Sequence, residues 1–546
     1  MNLVNPLTRL PVCPLKIKDY ILCFISAVLL IFSFPKFNIW LFTWFGFVPL
    51  FFALQNKSKG RAFLLSYLTG VIFWFGIIYW LIHVTFIGMV LLVLYLALYF
   101  GIFGLIIRTY DLRPTTYDLI FIPSSWVLLE YIRGHLFTGF PWALLGYSQY
   151  LNLPIIQIAD IAGAWGVSFL VMMVNVIIKE IIGSRFKVQG SRQKINYKFL
   201  FVACGFWLVA FGYGVYRLYL RPVYPERSRG APCALRLVKI SVIQGNIPQE
   251  LKWNPTAKDF IMHKYFTLAR QVAEAKPDLI IWPEAALPIV LEEEPIFFER
   301  VEDLVKEIKT PLLLGAVNTS NNLYYNSALL ISQEGELLTR YNKLHLVPFG
   351  EYIPLRKILR FLETVVPIGD FTAGKEYTIF ALPRYPVTPL PRLNAQTRKR
   401  TNAQTNFSAL ICFEDLFPQI SREFVKKGAN FLVNITNDAW FSKTSSPYQH
   451  LQASVFRAVE NRVNLVRAAN TGISGFIAPS GKIISLVQDE KGKNIFIDGY
   501  KTQEIIISKR PLSFYTRYGD VFVATCILFI LYGIISRLHS SLGIRH

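Results

Sequence analysis

Eight apolar stretches, most of them near the length a helix needs to cross a bilayer, constrain this chain more than any other feature. A spanning helix takes about 20 residues. Such runs occupy residues 20–34, 39–54, 62–81, 86–107, 119–132, 165–182, 199–220 and 520–535, the first, second and fifth a little short. With 53% of its 546 residues hydrophobic, 17% charged and a mean hydropathy of +0.38, the chain is too apolar for an ordinary soluble protein. Arg9, Lys16 and Lys18 precede the first run, as they would in a signal peptide, but no small-residue cleavage site follows. It reads as an uncleaved anchor. The expectation is about seven helices in residues 1–220 and one more at 519–538.

Charge sets the orientation. Residues 1–220 hold 17 Lys+Arg against 6 Asp+Glu, an excess of 11, and the rest of the chain adds another 11 to reach the net charge of +22. Lys57, Lys59 and Arg61, then Arg108 and Arg113, then Arg185, Lys187, Arg192, Lys194 and Lys198, then Arg537 and Arg545 all fall on the side of the N-terminus. The opposite loops carry little more than Lys36 and Arg133. Both termini are therefore expected in the cytoplasm, and the long polar stretch before the last span outside it. Cations placed this way are explained by topology, so nucleic acid is not an expected partner.

Residues 236–509 change texture to short β-rich runs alternating with amphipathic helical windows, the pattern of an α/β domain. Strands are predicted at 237–243, 279–282, 312–317, 328–332, 409–413 and 431–436, and helices at 257–275, 297–308, 419–427 and 449–463. The domain is set at 235–510, large enough for an enzyme core. Residues 221–234 precede it and 383–406 interrupt it; the second repeats N-A-Q-T at Asn394 and Asn402, lacks apolar periodicity and reads as a solvated, disordered insertion, with a basic binding tail the alternative. Cys13, Cys23, Cys204, Cys233, Cys412 and Cys526 show neither a C-x-x-C pair nor a zinc spacing, and no disulfide framework is visible.

Three neighbourhoods of the polar domain each end a strand or open a loop with one reactive side chain: IIWPEAALP with Glu284, YNKLHLVPFGEY with Lys343, and LICFED with Cys412. Singly, a cysteine in an apolar strand is usually core, and a lone Glu or Lys is usually solvated. Together they are an acid, an amine and a thiol. A thiolate is the nucleophile, and the Lys343 ammonium is expected to lower the Cys412 pKa. Glu284 would take the thiol proton and return it to the leaving group, while Lys343 and a backbone N–H after Cys412 would hold the oxyanion.

In chain order and flanking residues this set resembles the Glu-Lys-Cys triad of the carbon–nitrogen hydrolase (nitrilase) superfamily. Further motifs resemble its membrane-bound acyltransferase branch, the apolipoprotein N-acyltransferase family: QGNIPQELKW ending at Trp253, NDAWF around Trp440, PYQH ending at His450, RAANTGISG, TGFPWALLGYSQ and YTRYGD. The sequence departs from that pattern at Phe413, where a Tyr is common, and at Ser442, where a Gly is common. The resemblance implies a multi-pass helical membrane base of about eight spans carrying an extracytoplasmic nitrilase-like αββα sandwich, in a bacterial cytoplasmic (inner) membrane. It implies that Cys412 takes a fatty acyl chain from a phospholipid as a thioester and passes it to the N-terminal amine of a diacylglyceryl-cysteine apolipoprotein. No cofactor or metal is implied. By the same resemblance Glu351 supports the site by orienting Lys343, with a surface carboxylate the alternative; Phe413 and Glu414 directly follow Cys412, and if Cys412 ends a strand Glu414 points to the same side of the pleat and joins the polar shell.

Trp253, Tyr352 and Trp440 are candidate substrate-binding residues, with core packing the alternative for the two tryptophans. His263, His345 and His450 have no metal spacing and read as structural. Residues 355–366 alternate Leu355, Ile358, Leu359, Leu362, Val365 and Val366 with Arg356, Lys357 and Arg360, the pattern of a membrane-surface helix or of one packed on the domain core. Two rivals stand beside the acyltransferase: a membrane-tethered amidase with water as acceptor, and a transporter or receptor whose outer domain only binds. The second would leave the triad unexplained.

Overall fold

The computed structural model describes residues 15–109, 118–185, 197–220, 235–352, 371–382, 404–508 and 511–541, which fall into two compact units. The expected insertion, apart from its last three residues, the stretch 221–234 and the amphipathic segment 355–366 lie outside the described residues.

The first unit takes in residues up to Gln149, Ala164–Gly212 and the chain from Asp520 onward. Among the described residues three helices are long and apolar enough to cross a bilayer, Lys59–His83, Phe86–Thr109 and Ala159–Gly183. The first two pack closely because small residues let their backbones approach: a Cβ on Gly104 would lie 2.7 Å from the Ala62 carbonyl, and one on Gly70 would lie 2.8 Å from Phe100. The remaining runs form Ile17–Phe32, Asp118–His135, Tyr197–Val215 and Val521–Ser541. The run at 39–54 is not one spanning helix. It breaks into a 3-10 turn, Trp40–Trp44, and the six-residue helix Val48–Ala53, with Pro49 in the first turn of that helix, where its missing N–H costs no helical hydrogen bond.

The second unit comprises Tyr150–Gly163 and Tyr213–Gly519 and holds two six-stranded sheets. The strands are β1 (Leu235–Gln244), β2 (Leu279–Ile281), β3 (Leu312–Ser320), β4 (Leu323–Ile331), β5 (Leu337–Asn342), β6 (Phe380–Ala381), β7 (Asn406–Ile411), β8 (Phe431–Thr436), β9 (Asn464–Ala469), β10 (Gly475–Ile477), β11 (Ile483–Leu486) and β12 (Gly499–Ser508). One sheet runs β12-β1-β2-β3-β4-β5 and the other β11-β10-β9-β8-β7-β6. Each has a parallel triplet at its centre, β1-β2-β3 or β7-β8-β9, and antiparallel strands outside it. Parallel strands need helical crossovers, which cover the sheet faces. Helix Lys258–Ala273 supplies one, laying Ile261, Met262, Tyr265, Leu268, Ala269 and Val272 on the first sheet at helical spacing. Helix Pro295–Ile308 adds Val301, Leu304 and Val305 to the same core. On the other sheet the crossovers are Pro418–Lys426 and Ser446–Asn461. Strand β1 meets β9, and β4 meets β7, so the sheets stack as the expected αββα sandwich.

All six predicted strands and four predicted helices of this domain occur, with ends displaced by at most five residues. One displacement carries function. The strand expected at 409–413 stops at Ile411, and Cys412 opens a 3-10 turn, Cys412–Leu416.

Candidate active site

Glu284, Lys343 and Cys412 each follow the last residues of a strand, β2, β5 and β7 respectively. In sheets with parallel strands the backbone beyond the C-terminal ends is where ligands bind. Glu284 leaves β2 through a tight crossing over β3: the Gly315 amide donates to the Pro283 carbonyl at 3.1 Å, and the Ala286 amide donates to the Gly315 carbonyl at 3.0 Å. Position 315 has to be glycine, since a Cβ there would sit 2.6 Å from the Glu284 Cα. Lys343 prolongs the β4–β5 ladder, its amide donating to the Asn326 carbonyl at 2.9 Å. Cys412 adopts φ +52°, a left-handed turn that lifts its side chain off the end of β7.

The charged groups converge. Lys343 Nζ lies 2.8 Å from Glu351 Oε2 and 3.5 Å from Glu284 Oε1, with its side chain 1% exposed. Asn326 Nδ2 bridges the two carboxylates, donating to Glu284 at 2.8 Å and to Glu351 at 2.7 Å. The Val347 amide donates to Glu351 Oε2 at 2.8 Å, so Glu351 closes the 343–351 loop while holding the lysine. Burial alone would push Lys343 down, but the carboxylates of Glu351 and Glu284 keep it above its ordinary value and hence charged.

Cys412 departs from expectation. Burial and the Glu284 charge push its thiol well above the ordinary cysteine value; Lys343 acts in the opposite direction, as expected, but is outweighed. Cys412 therefore rests as a thiol, and forming its thiolate needs a base. Glu284 is the carboxylate whose charge acts on it most strongly, ahead of Asp438.

Glu414 is fully buried and ties two of the reactive loops together. Its Oε1 accepts from the Tyr341 hydroxyl at 2.7 Å and from the Leu344 and His345 amides at 2.7 and 3.1 Å, and its Oε2 accepts from the Ile411 amide at 2.7 Å. Burial pushes the carboxyl up to about 7 against those donors. The Phe413 ring packs beside Phe417 at 5.6 Å between centroids. Tyr352 is partly buried, which raises its hydroxyl pKa. Trp253 and Trp440 are 41% and 43% exposed, so neither is a core aromatic. Ser442 takes φ +53° and ψ −166°, a conformation natural to glycine, which gives the departure from the family pattern at this position a physical cost.

Two residues join the site without having been singled out. Lys252 is buried and its Nζ donates to the Glu284 carbonyl at 3.0 Å; burial lowers it to about 8, against the upward pull of Glu284 and Cys412. Asn326 is the other. The sequence signal for Lys252 is its place in QGNIPQELKW, directly before Trp253. Of the three histidines, His263 is exposed, the His345 ring lies 3.7 Å from that of Phe417, and His450 is buried. Among the described residues no group of three or more His, Cys, Asp or Glu is placed to hold a metal ion.

Residues 26–177 match the family model for the apolipoprotein N-acyltransferase N-terminal domain, and residues 239–508 match that for carbon-nitrogen hydrolase. The apolipoprotein N-acyltransferase of Geobacter metallireducens is 39% identical over 529 residues, 93% of each chain. That of Haemophilus influenzae is 31% identical over 491 residues, 85% of this chain and 86% of the relative. Among solved structures, an amidase from Nesterenkonia sp. aligns with 53% of this chain and 95% of its own, at 16% identity and a TM-score of 0.35.

Proposed function

The chain belongs to the apolipoprotein N-acyltransferase family, and from that premise we propose that Cys412 carries a fatty acyl chain from a phospholipid to the N-terminal amine of a diacylglyceryl-cysteine lipoprotein. The observation that carries the proposal is the convergence of Lys343, Glu284 and Glu351 in one buried charge set acting on a thiol at a left-handed strand end.

In the first half-reaction Glu284 takes the Sγ proton as the thiolate attacks an ester carbonyl of the phospholipid. The carbonyl oxygen becomes an anion, held by the Lys343 ammonium and the N–H after Cys412; one such donor is worth about 3 kcal/mol. Collapse expels the alkoxide, which leaves as an alcohol with the proton from Glu284, and Cys412 is left as a thioester. In the second half the acceptor amine loses its proton to Glu284 and attacks the thioester. An amide forms, and the thiol recovers its proton. Glu351 supports the chemistry by fixing Lys343, and Asn326 by spacing the two carboxylates. Trp253, Tyr352 and Trp440 are assigned to the lipid substrates. The catalytic domain belongs on the extracytoplasmic face of a bacterial inner membrane, supported by the sidedness of the cations.

Phospholipid alone should load the enzyme. Mass spectrometry should find one acyl group on Cys412, removed by hydroxylamine and discharged as an amide by a diacylated lipopeptide. Cys412→Ala should never load, and Lys343→Ala and Glu284→Gln should load at least about a hundredfold more slowly. Free fatty acid released at the same rate with or without lipopeptide would make water the acceptor and the enzyme a tethered hydrolase.

A further inference from the structure

Behind the nucleophile lies a second set of buried ionisable groups that the acyl-transfer steps do not use. His450, on helix Ser446–Asn461, has Nε2 2.7 Å from Asp415 Oδ1 and 3.2 Å from the Cys412 carbonyl oxygen, and Nδ1 3.2 Å from Asp438 Oδ1. A carbonyl only accepts, and so does an ionised carboxylate. A neutral imidazole carries one N–H and can satisfy acceptors along one edge alone, so acceptors on both nitrogens call for a ring protonated at both.

The charge count agrees. Asp415 and Asp438 bring two negative charges, and Arg467 answers with one positive, Nη1 lying 3.0 Å from Asp415 Oδ2 and Nη2 3.8 Å from Asp438 Oδ2. All four side chains are buried. A neutral ring would leave one carboxylate uncompensated in a dry interior, whereas a charged ring closes the sum at zero. Burial pushes the imidazole down, but the Asp415 carboxylate outweighs that and lifts His450 to about 9. The groups facing the ring are Asp415 and Cys412 from the turn after β7, Asp438 from the turn after β8 and Arg467 from β9; Ser454, on its own helix, donates to Asp415.

We propose that His450 is a charged positioning residue that holds the Cys412 turn by its carbonyl oxygen and so fixes the direction of the nucleophilic sulfur. Cys412 stands at a φ that L-residues rarely adopt and needs external restraint to stay there. Its carbonyl takes two donors, Asn434 Nδ2 at 3.0 Å and His450 Nε2 at 3.2 Å, and the aspartates fix the second of these in place. The role rests on Cys412 being the nucleophile of the reaction proposed above.

The test uses the full-length protein in detergent, labelled with 15N at histidine. Ordinary imidazoles ionise near pH 6.5 and are neutral at pH 8. Of the seven histidines, one should keep an imidazolium signal at pH 8, and His450→Gln should abolish it. In that variant acyl loading should slow by about a hundredfold while the KM for phospholipid stays within about twofold. Asp438→Asn leaves the ring and its bond to Asp415 but removes one carboxylate. Its imidazolium signal should be lost at a lower pH than in the wild type, which a ring neutral in both proteins would not show. A neutral-ring spectrum of the wild type at pH 8, or His450→Gln loading at the wild-type rate, would overturn the proposal. Wild-type protein that shows the imidazolium but never acylates Cys412 would instead sink the acyl-enzyme reading, and the positioning role with it.

Discussion

Lys252 shows how a single buried charge enters a site that motif reading passes over. Its ammonium holds the carbonyl of Glu284, the residue assigned as base, and its charge acts on Cys412. Because burial lowers it to about 8, the cation is present at neutral pH and lost above that value, while the neutral amine keeps its N–H donors. A thiolate and an oxyanion both form more easily beside a positive charge, so the loading rate of the wild type should fall as pH rises through about 8. Lys252→Met should lose that limb of the profile and load about tenfold to a hundredfold more slowly at pH 7. Loading rates measured from pH 6.5 to 9.5 in both proteins decide it, and an unchanged limb in the variant would remove Lys252 from the chemistry. The candidate triad was legible because its three motifs carry distinctive neighbours. Lys252 and Asn326 were not, since a lysine before a tryptophan and an asparagine inside a strand are ordinary surface patterns, and only the fold turns them inward.

At the level of elements, the ends of strands decide function, and strand ends are what sequence pattern locates least well. Strands β8 and β9 are buried on both faces; β8 opens on the apolar run Phe431–Val433, whereas β9 opens on Asn464, carries Arg467 at its centre and hides among polar letters. The turn at Cys412 went unread because nothing in LICFED forbids one more residue of strand; the left-handed φ follows from what Glu414 grips. Glu414→Gln should weaken that grip. The amide could keep one oxygen towards Tyr341, Leu344 and His345, but its NH2 would then face the Ile411 N–H, and a buried donor without an acceptor costs about 1–3 kcal/mol. The folded pKa of Glu414, near 7, is raised above its ordinary 4.5, so this group's stabilisation is complete below about pH 4.5 and is lost as pH rises through about 7. Thermal unfolding of the variant should show a lower Tm and a flatter dependence on pH between those values; an equal slope would place the titration elsewhere. The second sheet offers a further test. Strands β6 and β7 pair as Phe380↔Phe407 and Ala381↔Asn406, and the Leu382 amide reaches the Thr405 carbonyl at 2.9 Å. The two chain ends are thus adjacent, and a hairpin turn of about two to five residues can join them. Replacing residues 384–402 with a short Gly/Ser turn should leave acyl transfer within about threefold; loss of activity would make the segment a functional arm.

For the whole molecule, the apolar runs point to a chain built around membrane helices, and the charges between them carry the direction proposed for it. The structure changes which charges count. Lys57 is buried and paired with Asp19 at 2.5 Å, so its charge is answered within the first unit. Arg133 is buried as well, donating to the Phe140 and Trp142 carbonyls and lying 4.7 Å from the Trp74 ring centre, so it is no loop cation. Each side of the proposed topology thus loses one charge. Lys59, Arg61 and Arg108 remain on the side assigned to the cytoplasm, with the basic run 185–198 and the C-terminal arginines, against Lys36 on the other. Orientation is set by Lys and Arg close to the span ends, and the bias survives the correction. The broken run 39–54 leaves direction open to test, since one span fewer before Leu220 would put the catalytic unit on the same side as the N-terminus. A phosphatase reporter active only outside the cytoplasm, fused after Leu220, should therefore be active, and the same reporter fused after Arg545 should be silent. Equal signals from the two fusions would mean that the final helix does not cross. A reversed pair would put Cys412 on the cytoplasmic side, where the proposed lipoprotein amine could not reach it.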